Sequence, residues 1–178
     1  MKVQEHIEAL SLALKTEEEG FTYFTEIANK TKNEFAQSLF RTLAMDEKKH
    51  IAIIKRFYDL LVEEGHWKEI TEKDMEEFSS EHEIKTIFKD AAQKAKSGSL
   101  TISEDDIEAY RMALKFEDDG ANMYDELAKK STDSAARLFY SFLRDMEQGH
   151  YDTLKRTLDY LENPSDYYIL EEGWTMED

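Results

Sequence analysis

The sequence predicts an all-α protein, a four-helix bundle built from two copies of one αα-hairpin. Three observations predict it. Hydrophobic residues make up 40% of the 178-residue chain and charged residues 35%, with six glycines and a single proline. That supplies too few breakers for a turn-rich β fold. Apolar residues recur at three- and four-residue steps over four long stretches, the period of a helix rather than of a strand. Finally, residues 10–61 align with residues 110–161 at a fixed offset of 100 without a gap, and sixteen of the 52 positions are identical. A repeat of that length is one supersecondary unit used twice.

Each element follows in order. The first hairpin is expected over about 3–63. Its opening helix carries the stripe Leu10, Ala13, Leu14, Glu17, Phe21, Phe24 and Ala28. "NKTKNE" breaks the pattern. The stripe resumes with Leu39, Phe40, Leu43, Glu47, His50, Ile54, Phe57 and Leu61. A connection follows over about 64–102. Within it "HEIKTIFKDAAQKAK", residues 82–96, reads as a short helix, and "SGS" at 97–99 as a loop. The second hairpin, about 103–162, starts at a capping box formed by Ser103 and Asp106. Its stripes are Tyr110, Ala113, Leu114, Glu117, Ala121, Tyr124 and Ala128, then, after "KKSTDS", Phe139, Leu143, Glu147, His150, Leu154, Leu158 and Leu161. Asn163-Pro164 is a helix stop, and 163–178 is a short C-terminal tail. The connection is long enough to run beside helices of roughly 45 Å at 1.5 Å per residue. Two hairpins joined by one long crossover form the ferritin-like arrangement of a four-helix bundle, here one domain over 1–178.

Six residues on these stripes do not belong in an apolar core: Glu17, Glu47, His50, Glu117, Glu147 and His150. Glu47 and Glu17 stand equally far from a turn centred near residue 32, so antiparallel helices set them level. Glu147 and Glu117 do the same around residue 132. "DEKKH" and "MEQGH" place a Glu and a His three residues apart, on one helix face. Four buried carboxylates cannot all stay ionised in a low dielectric without compensation. Two divalent metal ions would balance them, with the histidines as neutral imidazole ligands. One Glu from each of two helices and Glu-x-x-His from each of the other two is the ligand pattern of di-iron and di-manganese carboxylate bundles. Hard carboxylates with one imidazole per metal suit Fe(II) or Mn(II). The competing reading is a duplicated, buried Glu–His network that binds no metal.

Other classes are disfavoured. The net charge of −17 makes nucleic acid and anionic membrane poor partners. The sequence contains no cysteine, so it offers no disulfide, iron–sulfur cluster, rubredoxin-type iron or thiol nucleophile. No haem is expected. No stretch approaches a membrane span, the first twenty residues lack the apolar run of a signal peptide, and a cytoplasmic location is the expectation.

At these residues the sequence resembles the rubrerythrin-like branch of the ferritin-like superfamily. The segments that carry the resemblance are "ALKTEEEGFTYFTEIANKT", "LFRTLAMDEKKH", "ALKFEDDGANMYDELAKKS" and "LFYSFLRDMEQGH", with the tail "ENPSDYYILEEGW". It implies a bundle holding two Fe ions. Glu17, Glu47 and His50 would form one half-site and Glu117, Glu147 and His150 the other, with Glu47 and Glu147 as bridges. It implies a non-haem oxidoreductase that reduces hydrogen peroxide or dioxygen, a function tied to oxidative stress. Two departures stand out. Such proteins typically carry a cysteine-bound iron in a rubredoxin module, so electrons here would come from an external donor such as a separate rubredoxin or reductase. They also typically carry a carboxylate one turn after the third-helix Glu, associated with peroxide reduction, where this chain has Gly120. The alternatives are a ferroxidase or iron-sequestering protein, a di-iron oxygenase acting on an organic substrate, and a helical interaction module. A homodimer is expected because bundles of this superfamily often pair.

The remaining candidates are weaker. Gly20 and Gly120, mid-helix in both copies, suggest close helix packing or room beside the metals. Tyr124 lies two turns after Glu117 and reads as a core aromatic, or alternatively as a hydrogen-bond donor or redox hydroxyl. Its repeat equivalent is Phe24. Glu18, Glu19, Asp118 and Asp119 read as solvated, or as an iron-entry path. Lys55, Arg56, Asp59 and their equivalents Lys155, Arg156 and Asp159 read as surface pairs, or as ion pairs around the site. His6, His66 and His82 read as surface histidines.

Overall fold

The computed structural model describes residues 1–71, 73 and 103–162. Within them four α-helices carry the chain: α1 (Val3–Lys30), α2 (Glu34–Glu64), α3 (Glu104–Lys130) and α4 (Ser134–Glu162). No strand occurs among the described residues. α1 packs along α2 and α3 along α4, so the architecture is the expected all-α four-helix bundle of two hairpins. The short helix expected at 82–96, the loop at 97–99, His82, the stop at Asn163-Pro164 and the tail lie outside the described residues.

Local sequence sets the helix ends. Asn33 caps α2, its Oδ1 accepting from the backbone N–H of Phe35 and Ala36 at 3.0 Å each. Asp133, the repeat equivalent, accepts from Ala135 at 2.8 Å and Ala136 at 3.0 Å. Each carboxyl or amide oxygen satisfies amides that the first helical turn leaves without partners. The capping box of α3 forms as expected. Ser103 Oγ accepts from the Asp106 N–H at 3.1 Å, and Asp106 Oδ2 accepts from the Ser103 N–H at 3.1 Å. α2 ends at Gly65, whose φ of 73° is the left-handed conformation that glycine adopts without a Cβ penalty.

Two apolar clusters hold the bundle. One joins Leu10 and Ala13 of α1 to Ile53, Ile54 and Phe57 of α2, Tyr124 of α3 and Phe139 of α4. The other joins Phe24 of α1 to Leu39, Phe40 and Leu43 of α2, Tyr110 of α3 and Leu154 of α4. The first therefore gathers the beginnings of α1 and α4 with the ends of α2 and α3. The second gathers the opposite ends. α2 thus finishes at one end of the bundle and α3 starts at the other, the connectivity that separates this arrangement from a simple up-and-down bundle. Glu17, Glu47, Glu117 and Glu147 fall between the two clusters in every helix.

One expectation fails here. His6 is not a surface residue; it is 2% exposed. Its ring stands edge-on to Trp67 at 5.1 Å and stacks on Tyr140 at 5.8 Å, and its Nδ1 lies 3.2 Å from the Tyr140 hydroxyl. The imidazole fills an aromatic pocket near the start of α1. Burial lowers its pKa, with the nearby N-terminal amine acting in the same direction. His66 is exposed, as expected.

Candidate metal centre

Mid-bundle, each helix contributes a carboxylate from its inward stripe. Glu17 comes from α1, Glu47 from α2, Glu117 from α3 and Glu147 from α4, and all four are buried. His50 and His150 sit one turn beyond Glu47 and Glu147 on the same faces, also buried. The level reasoning from the two turns is correct in space: all six residues meet.

They form two overlapping groups. Glu17, Glu47, His50 and Glu147 offer ligand atoms that all lie within 4.8 Å of one another, and so do Glu47, Glu117, Glu147 and His150. Glu47 and Glu147 belong to both. Atoms on opposite sides of a cation at ~2.0–2.2 Å would be about 4–4.4 Å apart, so each group needs only a small contraction to close on an ion. The imidazoles are nearly parallel, with centroids 5.2 Å apart and planes at 15°, and both turn Nδ1 toward the carboxylates. His50 Nδ1 lies 2.9 Å from Glu17 Oε2 and 3.3 Å from Glu147 Oε1. His150 Nδ1 lies 3.4 Å from Glu117 Oε2 and 3.7 Å from Glu47 Oε1.

The donor set fits divalent cations. Both oxygens of Glu47, both of Glu117, Oε1 of Glu147 and Nδ1 of His150 are buried without a hydrogen-bond partner among the described residues. Such groups normally cost about 1–3 kcal/mol each when left unmade. A cluster of orphaned acceptors around a shared centre is the arrangement a cation satisfies. The electrostatics agree. Burial, and then the charges of Glu17 and Glu147, push the Glu47 carboxyl well above its ordinary pKa. Burial and the facing Glu147 do the same to Glu117. For Glu147 burial is outweighed by the side chains of Glu117 and His50, and its pKa falls. For His50 burial is outweighed by Glu17, Glu147 and Glu47, and its pKa rises.

Around this cluster the structure separates the weaker candidates. The Tyr124 hydroxyl donates to Glu17 Oε1 from a fully buried ring, so it is both a core aromatic and a partner of the cluster. Glu18, Glu19, Asp118 and Asp119 are exposed. Lys155 pairs with Asp159 on the surface. The two glycines differ: a methyl group at Gly20 would meet Phe116 Cε1 at 2.8 Å, whereas one at Gly120 would lie 3.5 Å from Glu147 Cγ, an ordinary contact. Gly20 is therefore a close-packing position, and Gly120 leaves space beside Glu147.

Sequence reasoning missed Asp46. It is 1% exposed, its Oδ2 stands 3.5 Å from Nε2 of His150, and its Oδ1 lies 3.1 Å from Lys49 Nζ. The signal was an acid three after Leu43 and four before His50, at the spacing of the apolar stripe, where the second copy has Met146.

The rubrerythrin family model matches residues 8–158. That span reaches all four helices and contains all six converging residues, and the chain belongs to the rubrerythrin family. No curated protein and no solved structure matches it. Family and buried Glu/His cluster together fit a di-iron carboxylate site. No helix among the described residues is long and apolar enough to cross a membrane.

Proposed function

We propose that this rubrerythrin-family chain is a non-haem di-iron oxidoreductase that reduces hydrogen peroxide or dioxygen with electrons from an external donor. The observation that carries the reading is the convergence of buried, unpartnered oxygens of Glu47, Glu117 and Glu147 with two imidazole Nδ1 atoms. Glu17, Glu47 and His50 would hold one ion, Glu117, Glu147 and His150 the other, with Glu47 and Glu147 reaching both. Iron is favoured over manganese by the redox role, since both suit the donor set. When bound, the iron pair supplies two electrons to the oxidant.

The chain's own residues do the rest. Burial keeps bulk water from the cluster, which strengthens every interaction inside it. Tyr124 holds Glu17 by its hydroxyl and fixes that carboxylate's rotamer. The histidines offer Nδ1 to the centre, and for His150 the Asp46 carboxylate on the far side favours the tautomer with the proton on Nε2. Carboxyls that carry protons in the metal-free state lie beside the reaction space, and reduction of peroxide to two waters consumes two protons with its two electrons. Gly120 leaves open the side of Glu147 where the family's usual additional carboxylate would stand. We propose an external donor such as a separate rubredoxin or reductase, and a homodimer in solution.

The same open side also favours a second reading, a ferroxidase that sequesters iron. Anaerobic Fe(II) titration of metal-free protein, then mixing with dioxygen or with peroxide under an optical probe, separates the two. Saturation at two irons per chain with faster oxidation by peroxide supports the reductase. Uptake far beyond two, with dioxygen sufficient, replaces it with storage. Product formed only when an organic substrate is added would instead identify an oxygenase.

A further inference from the structure

The two halves of the cluster are not equally prepared for a cation. His150 Nδ1 makes no hydrogen bond; its nearest carboxylate oxygen is Glu117 Oε2 at 3.4 Å. Both oxygens of Glu117 are equally without partners. Behind the ring, Asp46 Oδ2 faces Nε2 at 3.5 Å, and Lys49 holds the other Asp46 oxygen at 3.1 Å. A carboxylate behind an imidazole keeps its proton on the far nitrogen and the lone pair of the near nitrogen turned to the metal.

The other half is closed on itself. His50 Nδ1 is hydrogen-bonded to Glu17 Oε2 at 2.9 Å, and the second oxygen of Glu17 accepts from Tyr124. His50 Nε2 is buried without a partner. The repeat equivalent of Asp46 is Met146, which has no carboxylate to offer, and the repeat equivalent of Tyr124 is Phe24, which leaves Glu117 without a donor. A cation entering beside His50 must break the His50–Glu17 bond and displace or share the Tyr124 contact. A cation entering beside His150 meets no such bond on the imidazole nitrogen that faces it.

We propose that the two half-sites load in a fixed order, a divalent cation first binding at Glu117 and His150 with the shared Glu47 and Glu147, and that Asp46 is the positioning residue that sets this order. The proposal rests on the metal-centre reading above and adds the order and its cause. Outer carboxylates of this kind are worth about 10–100-fold in metal affinity, so Asp46→Asn weakens the first binding step by about that factor and leaves the second nearly unchanged.

The test follows the imidazole nitrogens by NMR while Zn(II), a diamagnetic probe, is added to metal-free full-length protein. Signals are assigned from the single variants His50→Ala and His150→Ala. The expected result is that His150 Nδ1 carries most of the coordination shift at one equivalent and His50 follows at the second. In Asp46→Asn, His150 loses its lead while helicity is unchanged. His50 shifting first, or both shifting together in the unsubstituted protein, overturns the proposal while leaving the metal centre standing. Equal weakening of both steps in Asp46→Asn overturns the role of Asp46. No shift of either imidazole at several equivalents, with the protein folded, overturns the metal centre and the order together.

Discussion

Gly20 and Gly120 occupy equivalent positions in the two hairpins, yet alanine at each has opposite consequences. Glycine inside a helix costs about 1 kcal/mol relative to alanine, so both substitutions begin with the same gain. The surroundings then separate them. At Gly20 the new methyl group would sit 2.8 Å from Phe116 Cε1, 3.1 Å from Phe116 Cζ and 3.3 Å from Glu47 Cδ. The half-buried Phe116 ring, packed edge-on against Phe24 at 6.1 Å, must swing away, and the buried Glu47 has little room to yield. Overpacking of this kind costs about 1–3 kcal/mol. At Gly120 every approach is 3.5 Å or longer, and no such cost arises. Gly120→Ala should therefore be more stable than the parent by up to about 1 kcal/mol. Gly20→Ala should be neutral or less stable by up to about 2 kcal/mol. The difference between the variants is the better quantity, because the shared helix gain cancels and only the overpacking cost of about 1–3 kcal/mol remains. Urea unfolding of the metal-free proteins, followed by helical circular dichroism, measures it. In a chain of this size the gap corresponds to about 2–12 °C in Tm. Equal stabilities, or Gly20→Ala the more stable of the two, would refute the packing argument.

Three further outcomes follow from the same geometry. Tyr124→Phe keeps the ring volume that Phe24 already shows to be tolerated but removes the donor to Glu17. Metal-free protein should lose about 1–3 kcal/mol, and unchanged urea unfolding would show that the hydroxyl contributes nothing. Glu117→Leu removes a buried carboxyl with two unpartnered oxygens. Metal-free protein should gain about 1–3 kcal/mol while the thermal stabilisation by Zn(II) shrinks, and a loss of metal-free stability would contradict it. His6 has a lowered pKa in the folded state, so its stabilising contribution is complete above the unfolded value of about 6.5 and is lost as pH falls toward the folded value. Unfolding measured on either side of that range should show a slope that His6→Phe reduces.

Much of this was legible because the chain repeats itself. Glu17 and Glu47 could be set level from their distances to the turn, since two straight antiparallel helices leave no freedom along their axes. The same geometry fixed Glu117 and Glu147. What was not legible depends on the neighbouring hairpin. Asp46 precedes Glu47, yet it stands three after Leu43 and four before His50, so the stripe's own periodicity reaches it. What no spacing within one helix encodes is its partner: α4 brings His150 against that side of α2, a contact between hairpins. His6 has the same origin. It stands four before Leu10 on the α1 stripe, and what the sequence does not show is that Trp67 and Tyr140 converge on it from beyond α2 and from α4. The two glycines were indistinguishable in sequence because the difference resides in Phe116, which stands where the first copy has Thr16.

The cluster also imposes a relation between metal and proton. Four buried glutamates lie between two apolar ends, and the metal-free bundle must neutralise them by other means. Protons do so. Burial, reinforced by neighbouring carboxylates, raises Glu47 and Glu117, so these carboxyls keep protons well above the usual range. For His50 the neighbouring glutamates outweigh burial, and the ring holds its second proton to higher pH. For His150 they do so together with Asp46. A cation can bind only as these protons leave, since carboxylate and neutral imidazole are the ligating forms. The sign is therefore fixed: every raised pKa makes the proton a stronger competitor, and affinity falls as pH falls. Zn(II) binding measured by calorimetry in two buffers of different ionisation enthalpy should show net proton release, and affinity should rise through neutral pH. Binding without proton release would mean that the glutamates are already ionised in the metal-free protein. The bundle would then have to tolerate several uncompensated buried charges, which costs far more than two apolar cores of this size could offset.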